Sequence, residues 1–65
     1  MNDKIIKILD ESIKLELNIA DLYLVFHEKI PEDSKFWWQL LLEEKNHATL
    51  LKTGKEVYLT KKKVN

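Results

Sequence analysis

Two glutamates and a histidine are the residues of this chain whose types and spacing could do chemistry. Glu44 and His47 are three residues apart in the stretch "LLLEEKNHATLL" (residues 40–51), with leucine on both sides. Glu16 lies in a similar apolar setting in the first half of the chain. Carboxylate oxygen and imidazole nitrogen together suit iron, manganese or zinc. The chain has no cysteine, so disulfides, thiolate metal sites and iron–sulfur clusters are excluded.

The elements that must position these side chains are two long helices. Apolar residues recur at helical spacing over about 3–29, and again over about 35–59. Pro31 disfavours helix in the residue before it, so we expect a turn at 30–34. A short basic tail is expected at 60–65. The 65 residues therefore predict one all-α domain, an antiparallel two-helix hairpin.

Each predicted helix has one row of residues that should face the other helix. Rows that alternate steps of three and four residues mark such faces. On helix 1 the row is Ile6, Leu9, Ile13, Glu16, Ala20, Tyr23 and His27, and on helix 2 it is Trp37, Leu40, Glu44, His47, Leu51, Gly54 and Tyr58. In a hairpin that turns at 30–34, Glu16, Glu44 and His47 lie at about the same level, roughly 15–20 Å from the turn.

A second apolar stripe on helix 1 predicts self-association. It consists of Ile5, Ile8, Leu15, Ile19, Leu22 and Phe26, while Trp38, Leu41 and Leu42 widen the apolar surface of helix 2. Two helices cannot cover two stripes each. We therefore expect a homodimer, or a higher even-numbered oligomer, built as a two-fold four-helix bundle.

The three ionisable groups need partners, because burying an unpaired carboxylate costs several kcal/mol. Neither row contains a lysine, so a divalent metal is the partner that fits. A dimer would present four glutamates and two histidines. Di-metal carboxylate bundles use that set, with a Glu from each of two helices and a Glu-x-x-His from each of the other two.

The two metal-binding segments resemble those of a known family. "ELNIADLY", Glu16 to Tyr23, is similar to the first metal helix of rubrerythrins and ferritin-like proteins, where a ligand Glu precedes a Tyr by seven residues. "LLLEEKNHATLL" resembles their second helix, which carries an "EExxH" pattern. The resemblance covers about residues 10–55, half of the usual four-helix domain. It is nearest to the two-helix members, including the encapsulated ferritins.

That resemblance implies a ferritin-like di-metal protein whose site forms between two subunits. It implies two iron ions per dimer, with manganese or zinc as alternatives. Glu44 would bridge the metals, Glu16 and His47 would be terminal ligands, and Tyr23 would hydrogen-bond a ligand carboxylate. The implied activity is Fe(II) oxidation or the handling of oxygen or peroxide, an oxidoreductase chemistry. Peroxidase turnover would use an external electron donor, because no rubredoxin-like segment accompanies the helices.

Composition excludes other partners and leaves one alternative function. All 11 basic residues are lysine and 11 acids balance them, so we expect no nucleic-acid partner. No apolar run approaches the roughly 20 residues that cross a bilayer, and we expect a cytoplasmic protein without a membrane partner. The alternative is a non-enzymatic helical dimerisation module whose buried acids set the register. A one-residue error in phase would place Glu43 or Asn46 inward instead.

Overall fold

A computed structural model describes residues 3–64, and both long helices are present. Helix α1 spans Lys4–Lys29, a short 3-10 turn spans Pro31–Asp33, and helix α2 spans Ser34–Val64. The described residues contain no strand. The prediction of an all-α fold is confirmed. Neither helix within residues 3–64 is long and apolar enough to cross a membrane.

The turn forms where the proline was expected to end the first helix. Ile30 leaves the helical conformation in front of Pro31, and its N–H donates to the Phe26 carbonyl at 2.8 Å. His27 Nδ1 lies 2.8 Å from the carbonyl oxygen of Ser34 and therefore donates its proton there. This bond spans the turn and fixes His27 at the end of the hairpin. His27 therefore lies at the turn end of the hairpin, away from Glu16, Glu44 and His47.

The predicted end of helix 2 at residue 59 and the tail at 60–65 are wrong. Helix α2 continues to Val64, and Asn65 lies outside the described residues. Three lysines occupy its last turn, where cations interact favourably with the helix dipole. Lys62 also pairs with Asp3 at the start of α1, and this contact raises the pKa of Lys62. The segment predicted to be a tail is thus helical up to Val64 and contacts the start of the other helix.

The two helices pack antiparallel along their length. Lys55 Nζ lies 2.6 Å from Asp10 Oδ1, which fixes the register near the open end of the hairpin. The buried core between the helices is small and consists of Ile13, Ala20, Leu41 and Ala48. Because the hairpin is one helix thick, its Cα extents are 52 × 16 × 9 Å.

The inner row of α2 differs from the predicted one by its phase. Ala48 is buried, whereas His47 is exposed, and Lys55 is more buried than Gly54. The observed row steps from Trp37 by four, three, four, three, four and three residues. It keeps the predicted positions 37, 44, 51 and 58, replaces 47 and 54 by 48 and 55, and includes position 41, which is more buried than 40. Leucine and alanine bury more readily than histidine, which explains why this phase is preferred. The predicted inner row of α1 is confirmed, since all seven residues are buried or half-buried.

One broad side of the hairpin, here called the apolar face, stays exposed. On α1 the residues of this face lie about 100° around the helix axis from the inner row, and on α2 about 90° from it. Because the two helices are antiparallel, both rotations place these residues on the same side of the hairpin. The exposed members of the face are Ile5, Ile8, Leu15 and Leu22 on α1 and Phe36, Leu50 and Val57 on α2.

Candidate metal centre

Glu16, Glu44 and His47 meet at the middle of the hairpin. His47 Nδ1 lies 3.5 Å from Glu16 Oε2 and 3.9 Å from Glu44 Oε2. Among the described residues these three offer ligand atoms that all lie within 4.8 Å of one another. The structure therefore brings together the three residues that the sequence singled out as metal ligands.

The helices position the three side chains for simple geometric reasons. Glu16 belongs to the inner row of α1, between Ile13 and Ala20, which are both buried. Glu44 belongs to the inner row of α2, and His47 follows it by one turn, so both side chains point to the same level. A single helix could present only the Glu44–His47 pair, and the antiparallel contact adds Glu16.

Two carboxylate oxygens in this cluster have no donor. Glu16 Oε2 and Glu44 Oε2 are shielded from solvent and accept no hydrogen bond from the described residues. The side chains of Glu16 and Glu44 are 24% and 17% exposed. Ionised carboxylates can only accept hydrogen bonds, so a shielded pair without a donor is unfavourable. A cation or a proton between them would relieve this.

The pKa of Glu44 is raised above its ordinary value of 4.5. The largest cause is the neighbouring Glu16 carboxylate, to which Glu44 would donate a hydrogen bond when protonated. Partial burial and repulsion from the ionised Glu16 act in the same direction, while His47 acts against them. The metal-free cluster therefore favours a proton at the place where a metal ion would supply positive charge.

The cluster opens toward the apolar face of the hairpin. The His47 side chain is 56% exposed, and by helical spacing it lies on the same side of α2 as Phe36 and Leu50. Glu43 is exposed next to it, as expected. One hairpin thus supplies three donor groups and leaves one side open, and further ligands would have to enter from that side.

Tyr23 lies beside an aromatic cluster. Its ring centroid is 5.9 Å from that of Trp37, and Trp37 also packs on Phe26 and Phe36. Since the Oε2 atoms of Glu16 and Glu44 accept no hydrogen bond from the described residues, Tyr23 does not bond to either of these atoms here. Its role toward a ligand carboxylate stays a prediction.

Sequence reasoning missed the part that alanine plays next to the ligands. Ala20 and Ala48 are each 1% exposed and lie four residues from Glu16 and Glu44, respectively. Their small side chains let the two helices approach closely at the level of the cluster. The signal was present in the sequence as the spacing of positions 41, 48 and 55.

Comparisons with known proteins do not assign the chain to a family. No protein-family model matches it. No curated protein and no solved structure matches it significantly either.

Proposed function

We propose that the protein binds a pair of iron ions between two copies of the chain and oxidises Fe(II) with oxygen or peroxide, as a ferritin-like protein. The observation that carries this proposal is the cluster of Glu16, Glu44 and His47, with donor atoms within 4.8 Å and two shielded carboxylate oxygens without a donor. The likeness of "ELNIADLY" and "EExxH" to rubrerythrin segments supports it.

The residues fit iron by the chemistry of their donor atoms. Two carboxylates and one imidazole are borderline-hard ligands that suit Fe(II), and manganese or zinc as alternatives. Two negative charges from each copy would offset the charge of a pair of divalent ions. Iron bound there would supply one-electron redox chemistry toward oxygen or peroxide. Glu16, Glu44 and His47 of each copy would hold the ions, in the roles that the resemblance implies.

The roles of the surrounding residues follow from their positions. Ala20 and Ala48 keep the helices close, so the three donor groups are held on rigid elements. The apolar side chains around the cluster would exclude water once a second copy covers them. If the reaction is peroxide reduction, an external donor would supply the electrons.

The test is metal stoichiometry measured together with oligomeric state. Protein loaded anaerobically with Fe(II) is examined by native mass spectrometry, which reports both quantities in one spectrum. We expect two irons per dimer for the wild type and none for Glu44→Ala. Glu56→Gln, an exposed glutamate elsewhere on α2, is the matched control and should bind as the wild type does. A wild-type dimer without iron, manganese or zinc would refute the proposal.

The second candidate function, a dimerisation module without metal, is favoured by the exposed apolar face. In that case Glu16, Glu44 and His47 would serve only to set register. Glu16→Ala and His47→Ala would then leave dimer stability unchanged or improved, and no metal would bind at any concentration. For the metal protein, the same substitutions abolish metal uptake.

A further inference from the structure

We infer that the apolar face pairs with a second copy in one defined register, in which Phe36 of each copy packs over Gly54 of the other. The inference deepens the proposed function and rests on its two-subunit site, because it names how the copies meet. It starts from the single glycine of the chain.

Gly54 has no explanation within one hairpin. It lies inside helix α2, where glycine costs about 1 kcal/mol relative to alanine. Among the described residues there is no positive backbone φ, so its conformation does not require glycine. A Cβ added there would meet no atom within 4 Å. The missing side chain therefore leaves a depression on the surface, seven residues after His47 and on the same face.

The row of α2 on the apolar face is complementary to itself. Phe36 and Gly54 are each nine residues from Lys45, Leu40 and Leu50 are each five, and Glu43 and His47 are each two. A two-fold axis perpendicular to the helix at Lys45 brings each residue opposite its counterpart on the antiparallel partner helix. Phe36 of one copy then faces Gly54 of the other, Leu40 faces Leu50, and Glu43 faces His47.

The row of α1 is centred in the same way. Ser12 and Phe26 are each seven residues from Ile19, and Leu15 and Leu22 are four and three residues from it. A two-fold axis at Ile19 would place Ser12 of one copy opposite Phe26 of the other, and Leu15 close to Leu22. Each of the two rows therefore has its own centre of two-fold symmetry.

The register of the hairpin brings these two centres to one level. The contact between Glu16 and His47 places Lys45 beside position 18 of α1, and the contact between Asp10 and Lys55 places it beside position 20. Ile19 lies between these two values. One axis therefore serves both rows, and it passes beside the candidate metal centre, so that two sets of ligands face each other.

The experiment uses the absence of native cysteine. In the double variant Phe36→Cys/Gly54→Cys, the two thiols of one chain are eighteen residues apart on one helix, about 27 Å. A disulfide needs Cα atoms within about 7 Å, so any bridge between these positions joins two chains. Under mild oxidation without metal, in EDTA, we expect a covalent dimer. Phe36→Cys/Thr53→Cys is the matched control, because Thr53 points about 100° away from Gly54 and should form little cross-link.

A second pair of variants tests the fit by size. Gly54→Leu fills the depression and should raise the metal-free dimer dissociation constant about tenfold or more in sedimentation equilibrium. Adding Phe36→Ala should recover most of that loss. A wild-type chain that stays monomeric, equal cross-linking at positions 53 and 54, or a Gly54→Leu dimer as tight as the wild type would each overturn the inference.

The outcome is separable from that of the metal proposal. Because cross-linking and sedimentation are carried out without metal, a bridge between positions 36 and 54 supports the register even if iron does not bind. If iron binds at two per dimer while this bridge fails to form, the metal proposal stands and the register is wrong.

Discussion

We predict that, in the absence of metal, replacing Glu44 with glutamine makes the protein more stable than the wild type. In Glu44→Gln the repulsion between the two acids disappears, and the amide can donate to Glu16 Oε2, which has no donor among the described residues. A hydrogen bond to a charged group contributes about 1.5–3 kcal/mol when well formed. Because both side chains are partly exposed, we expect less than this range, about 1 kcal/mol per chain.

The metal should reverse this order. A ligand that binds only the folded state stabilises it by about 2.7 kcal/mol at one hundred times its dissociation constant. Urea unfolding followed by circular dichroism, at one protein concentration, compares wild type and Glu44→Gln in EDTA and in saturating Zn(II). We expect the variant to be more stable in EDTA and the wild type in Zn(II). Glu56→Gln should follow the wild type in both conditions.

The reasoning fails if Glu44→Gln is destabilised in EDTA, because the pair of acids would then be favourable without a metal. It also fails if Zn(II) stabilises the variant as much as the wild type. Either result would show that the cluster is an ordinary polar contact between the helices.

Three further predictions follow from burial and charge. The pKa of Glu44 is raised in the folded state, so the protonated carboxyl stabilises the metal-free fold fully below about pH 4.5, and this stabilisation is lost as the pH rises through the raised pKa. The wild type should therefore fall further behind Glu44→Gln in urea midpoint as the pH is raised from about 4 to about 8. Leu41→Ala, at a buried position, should cost about 2–5 kcal/mol in the same assay, and Leu42→Ala, at a half-exposed one, clearly less. Lys55→Ala breaks the exposed pair with Asp10 and should cost less than about 1 kcal/mol, an effect that shrinks further in high salt.

The sequence predicted the two helices and the three clustered residues because both depend on spacing. Glu44 and His47 are one turn apart, and the turn at Pro31 brings Glu16 to their level, so little besides helix geometry was needed. The exposure of His47 could not be predicted in this way. An inner row through position 47 and one through position 48 fit the spacing equally well. The choice between them depends on the small Ala48 side chain, which lets the two helices approach closely.

The end of α2 was misjudged for a different reason. The apolar spacing was followed only to about residue 59, and Gly54 lowers helix propensity shortly before that point, which suggested an end there. The helix continues because lysine is a good helix former that suits a helix C-terminus, and the pairs of Lys55 with Asp10 and of Lys62 with Asp3 add small contributions. Local propensity cannot register partners that lie more than forty residues away in the chain.

A hairpin whose Cα atoms extend only 9 Å in one direction has no interior that is enclosed on all sides. When two copies pair as proposed, folding is coupled to association, and its extent depends on protein concentration. The apparent melting temperature should rise as the sample is concentrated, and dilution alone should lower the helix content. For the proposed two-copy metal site, metal affinity would then also depend on protein concentration, so that the amount of chain in a cell would set how much of it can bind metal.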